Sequence, residues 1–73
     1  RDRVIVMGAG DAALGLVKEL SRSHEWRVVG LLDDDANKLG RMLNGVSVMG
    51  TLEDLPRFAH RLKVRHAIIA MPS

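Results

Sequence analysis

Val4-Ile5-Val6-Met7-Gly8-Ala9-Gly10-Asp11-Ala12-Ala13 decides the fold of this 73-residue chain. An apolar run of strand length, Arg3 to Met7, enters a glycine-rich turn. The run does not alternate polar with apolar, as expected of a parallel strand covered on both faces. A helical period follows at once. Ala13, Leu16, Val17 and Leu20 recur at i, i+3, i+4 and i+7, which predicts a helix from Asp11 to about Ser23. Strand, tight turn and helix form the first half of a nucleotide-binding βαβ unit. Gly8 permits the turn out of the strand. Gly10 lets backbone approach a phosphate, because no Cβ intervenes. Ala13 is small enough for the helix to sit close on the strand. The free N–H groups of the turn and helix start, from Gly8 through Ala9 and Gly10 to Asp11 and Ala12, face any bound phosphate. Asp11 has two readings: a helix N-cap, or a site residue reaching ligand through water or metal. In either role its carboxylate competes with a phosphate for the positive helix end.

Outward from this stretch, the next apolar run is Trp26 to Leu32, and Asp33-Asp34-Asp35 closes it. Gly30 inside the run marks a bend or a close backbone approach. Asp33 lies 23 residues past Gly10, near the roughly 20 at which a ribose-binding acid is expected. A carboxylate there accepts two hydrogen bonds from the ribose diol, a role that falls to Asp33. The plainer reading is a solvated turn, with Asp35 capping a short helix over Ala36 to Leu39 that Gly40 ends. A 2′-phosphate would be repelled by three acids, which disfavours an NADP-type ligand.

Asn44-Gly45 is a hairpin pair flanked by Met42-Leu43 and Val46 to Met49. The second arm is expected to join the sheet as its third strand, and no helical crossover fits before it. Thr51 and Asp54 have capping-box spacing. Pro56 suits a helix start, so one turn from Thr51 to Leu55 and a helix from Pro56 to Leu62 are predicted. Leu52, Leu55, Ala59 and Leu62 mark the buried face. The last strand is Ala67 to Ala70. Its carboxyl end, Met71-Pro72-Ser73, is expected beside the Gly8 turn, where open parallel sheets bind ligands, so Pro72 joins the candidate site.

The chain is too short for more than one domain. With four strand candidates it reads as an α/β, Rossmann-like doubly wound parallel sheet, partial, with a β-hairpin between strands two and three. It is expected to be a piece of something longer, spanning residues 1–73, with an edge that invites a homodimer. A formal charge of +2 and one Trp with one Phe argue against nucleic acid. Zero cysteines excludes disulfides and zinc–thiolate sites. No run of transmembrane length occurs, so this piece itself is expected to make no membrane contact. His24, His60 and His66 lack metal-ligand spacing. No Ser-His-Asp set, Tyr-x-x-x-Lys pair or other acid, base or nucleophile constellation appears, and no catalytic residue is assigned. Met7, Met42, Met49 and Met71 are expected to fill core.

Four phrases occur in order: Val4 to Ala13, Val28 to Asp35, Leu43 to Leu55 and Ala67 to Ser73. Together they resemble the N-terminal Rossmann-like domain of CapD-like polysaccharide biosynthesis proteins, the membrane-anchored nucleotide-sugar 4,6-dehydratases and epimerases. Related domains precede bacterial sugar-phosphate transferases and some sugar acyltransferases. The resemblance implies an accessory module that binds NAD, a UDP-sugar or CoA. It also implies a parent chain with membrane helices before the module and a catalytic dehydrogenase/reductase domain after it, at the cytoplasmic face of the inner membrane. Carried over by position, the glycine turn is Gly8, Gly10 and Ala13, and the strand-two acid is Asp33 or Asp34. Many family members have Gly where this chain has Ala13. The alternative implied role is a ligand-free, Rossmann-shaped pairing module.

Overall fold

A computed structural model describes residues 1–70. Five strands form one sheet: β1 Asp2–Met7, β2 Trp26–Leu32, β3 Met42–Leu43, β4 Val46–Gly50 and β5 His66–Ile69, in the order β3-β4-β2-β1-β5. All neighbours are parallel except β3 with β4. The first hairpin arm pairs well enough to count as a strand, so the sheet has one strand more than the four expected. The helices are α1 Asp11–Ser21 and α2 Leu55–Leu62.

The helices lie against opposite faces of the sheet. On one face Ala13 and Val17 of α1 pack with Val6, Leu31 and Val48, and Leu16 and Leu20 close over them. On the other, Leu55, Phe58, Ala59 and Leu62 of α2 pack on Ile5, Leu32 and Val64. The predicted apolar stripes of both helices are therefore the ones used, with Phe58 added. Val4, Ile5 and Val6 are each 0% exposed, as the unalternating run requires of a strand covered twice. Strand β5 differs. It lies at the sheet edge and leaves Ile69 69% exposed.

Between β2 and β4 the chain crosses without an α-helix. A single 3-10 turn over Ala36–Lys38 and the hairpin make the connection. Asn44 and Gly45 both take positive φ, 51° and 83°, the conformation of a two-residue type I′ turn. The register of β1 on β2 slips after Val4, so that Ile5 pairs with Gly30. Gly30 has no Cβ because the Met49 side chain occupies that space.

Three expectations are corrected. Helix α1 ends at Ser21 rather than Ser23, because the Ser23 hydroxyl accepts from the N–H groups of Glu25 and Trp26 (3.0 and 3.2 Å) and turns the chain instead. Met42 is 63% exposed and fills no core, since its two-residue strand sits at the sheet edge. Asp11 is not the N-cap of α1. Gly10 is, with no side chain to offer, because its carbonyl accepts the first helical bond from the Leu14 N–H at 3.0 Å. Asp11 is the first residue of the helix proper, exposed, where a carboxylate still favours the positive helix end.

Candidate functional site

The carboxyl ends of β1 and β2 open beside one another, joined by the Gly8 N–H donating to the Leu32 carbonyl at 2.6 Å. Gly8 has φ 116°, a conformation costly to any other residue, and turns the chain from β1 toward α1. Gly10 is different. Its φ of −94° is ordinary, and a Cβ there would meet nothing nearer than the Lys38 Nζ at 3.9 Å. Open space therefore stands before Gly10. Among the described residues, no acceptor binds the N–H groups of Gly10, Asp11 or Ala12. They are the orphan donors of a helix start.

Asp33 reaches into this mouth. Its Oδ2 accepts the Ala9 N–H at 2.9 Å and its Oδ1 the Asp35 N–H at 2.8 Å. Lys38 Nζ stands 3.7 Å from Oδ2, and the Asp33 side chain is only 16% exposed. Its carboxyl is held below the usual carboxylate range, first by the Asp35 N–H. Burial pushes the other way, and the Ala9 N–H and Lys38 add to the lowering. A carboxylate has about four lone-pair sites, so two backbone bonds and one ion pair leave capacity beyond what the chain uses.

The other two acids are committed to backbone. Asp34 Oδ1 accepts the Leu52 N–H at 3.0 Å and ties β2 to the turn after β4. Asp35 Oδ1 accepts the Asn37 N–H at 2.9 Å and caps the 3-10 turn, as expected. The structure thus brings Gly8, Ala9, Gly10, Asp11, Ala12 and Asp33 to one mouth. Asp34 sits behind it, and Pro72 lies outside the described residues.

Sequence reasoning missed Lys38. Its signal was the Asp35-capped turn, too short to carry its last residue away from the acids. That turn returns the Lys38 ammonium to both Asp33 and Gly10.

A family model described as a CoA-binding domain matches residues 1–73. The chain belongs to the CoA-binding domain family. The chain is 35% identical over 72 residues to the Capsular polysaccharide biosynthesis protein CapD of Staphylococcus aureus. It is 32% identical over 73 residues to the Probable polysaccharide biosynthesis protein EpsC of Bacillus subtilis (strain 168). These matches take in 94% and 97% of the chain but only 12% of each relative. They bear out the resemblance to CapD-like proteins. Among solved structures, the UDP-D-Quinovosamine 4-Dehydrogenase from Vibrio fischeri superposes with a TM-score of 0.86 at 23% identity. That match covers 94% of this chain and 56% of the other, and shows the Rossmann-like fold they share.

Proposed function

We propose that the chain binds a nucleoside-diphosphate ligand at the Gly8–Ala12 turn, as a non-catalytic accessory domain of a nucleotide-sugar dehydratase or epimerase of polysaccharide biosynthesis. The open space before Gly10 carries this reading. Neither backbone conformation nor packing within the chain requires glycine there. Close approach of a ligand phosphate does. The N–H groups of Gly10, Asp11 and Ala12 would hold that phosphate at the positive end of α1. Lys38, 3.7 Å from Asp33, is near enough to shift toward it. The remaining lone pairs of Asp33 suit a ribose diol.

The family description points to CoA, and the relatives to nucleotide sugars. The turn fits the diphosphate of either. CoA also carries a phosphate on its ribose, which beside Asp33, Asp34 and Asp35 meets like charge. NAD or a UDP-sugar therefore fits this mouth better. The module would act beside the rest of its parent chain at the cytoplasmic face of the inner membrane. Titration calorimetry with NAD, a UDP-sugar and CoA tests the reading, using wild type and Gly10→Val. Binding tightest for NAD or the UDP-sugar, and weakened at least about tenfold by valine, is expected. Silence with all three at millimolar ligand would overturn it.

A second reading rests on Asp33, whose Oδ2 already takes the Ala9 N–H of the turn, and on Lys38 paired with it. On this reading the fold is a ligand-free module that pairs protomers of a sugar transferase or acyltransferase as a homodimer. Sedimentation of wild type and Gly10→Val separates the two: unchanged pairing with no ligand bound by wild type favours the second.

A further inference from the structure

The end of the sheet opposite the glycine turn holds a cavity of about 290 Å³ whose lining among the described residues includes Arg1, Arg3, Lys63, Arg65 and His66, with Asp2 its only acid. Among the described residues, no carboxylate lies within 4.0 Å of the charged groups of Arg1, Arg3, Lys63 or Arg65. Asp33 to Asp35, Glu53 and Asp54 gather at the other end of the strands, while Asp2 and Glu25, joined by the Asp2 N–H donating to the Glu25 carbonyl at 2.7 Å, stand at this end without an ion pair to these cations. Arg27 pairs in register with Arg3 across β2 and β1, adding a further cation nearby. Such crowding is unfavourable without an anion.

Several of these side chains are held in place. Arg3 donates from Nη1 to the Leu62 carbonyl at 2.9 Å, which fixes its guanidinium at the end of α2. His66 meets Trp26 edge-on, ring centroids 4.9 Å apart. Lys63 caps α2 in the left-handed conformation, φ 57° and ψ 50°, where glycine is the favoured residue. A lysine in this backbone conformation, lining a mostly basic cavity, is a strained residue at a place where function would explain the strain.

We infer that Arg3, Lys63, Arg65 and His66 form a second site, one that takes a phosphate group. Guanidinium forks match phosphate oxygens, and the lysine adds a point charge. The volume suits a single phosphorylated headgroup rather than an extended cofactor. The phosphate belongs either to a soluble metabolite or to an anionic lipid at a membrane surface. This site is independent of the nucleotide reading, because it lies at the other end of the strands.

Lys63→Gly combined with Arg65→Gln tests it. Glycine relieves the left-handed strain, so the variant is expected to melt at or above the wild-type temperature. Amide resonances are followed while inorganic pyrophosphate is added. Saturable shifts at Arg3 and at Lys63 to His66 are expected, weakened about tenfold or more in the variant and reduced by added salt. Co-sedimentation with phosphatidylcholine vesicles, with and without phosphatidylglycerol, identifies the source. Binding to the anionic vesicles that the variant loses assigns a lipid headgroup. Saturable pyrophosphate binding without vesicle binding assigns a soluble phosphate. No binding in either arm, or binding equal in the folded variant, overturns the proposal.

Discussion

Asp33 does more for the folded chain than a ligand-facing acid must. Its two oxygens tie the end of β2 to the glycine turn and to the following loop. Asp33→Ala leaves the Ala9 and Asp35 N–H groups without their acceptor and is expected to cost about 1–3 kcal/mol in urea denaturation. The pH dependence follows in sign. The folded-state pKa lies below the ordinary value, so this stabilisation is complete above about pH 4. It is lost as pH falls through the lowered folded value. Denaturation curves between about pH 2 and 6 should show a steeper acid loss for wild type than for Asp33→Asn. An unchanged slope would mean that these bonds carry no net stability. The position of Asp33 at a strand end was legible in the sequence. Its partners were not, because no local pattern says that an acid at a strand's end turns back onto the Ala9 amide. Lys38 was signalled only by the short Asp35-capped turn that ends on it, and that signal becomes specific only when the turn is folded.

At the scale of elements, local chemistry decided most of the outcome. Asn44-Gly45 was readable as a hairpin because few other pairs tolerate positive φ at both positions. The pairing of Thr51 with Asp54 was equally plain, and the Asp54 carboxylate accepts the Thr51 N–H at 2.9 Å. That bond is the first cause of a lowered Asp54 pKa, with desolvation opposing it and Arg57 adding to it. Helix boundaries were less legible, since Ser23 fits a last helical turn as well as the hydroxyl-capped turn it makes. Helix α1 carries Gly15 on its exposed face, with nothing within 4 Å of a built Cβ. Gly15→Ala should therefore stabilise the chain by about 0.5–1 kcal/mol, seen as a higher urea midpoint at unchanged slope. Gly50 is the opposite case. A Cβ there meets the Asp54 carboxylate and stands 3.3 Å from Phe58. Gly50→Ala should displace the Thr51–Asp54 bond and destabilise by about 1–3 kcal/mol. A neutral result would show that Asp54 moves aside freely.

The whole molecule is a sheet with one small core on each face, and neither core is large. Stability of a chain this size is on the order of 4–10 kcal/mol. Ile5 is 0% exposed and central to the face that α2 covers. Ile5→Ala should cost about 2–5 kcal/mol, a large part of that total, and leave a detectable unfolded population by circular dichroism. The doubly wound layout was legible because β1 is apolar without alternation and the helix stripes lie on opposite sides of it. The charge layout was not, because a net charge of +2 hides the gathering of Arg3, Lys63 and Arg65 at one end of the strands and of Asp33 to Asp35 at the other. That separation puts the glycine turn, Lys38 and Asp33 together at one end. The most direct test of what they do is an amide-resolved titration of the wild-type chain with NAD, a UDP-sugar and CoA in turn. Saturable shifts centred on Gly10, Asp11 and Ala12, absent in Gly10→Val, are the expected result. Those three amides left unmoved by all three ligands at millimolar concentration would contradict nucleotide binding at this turn.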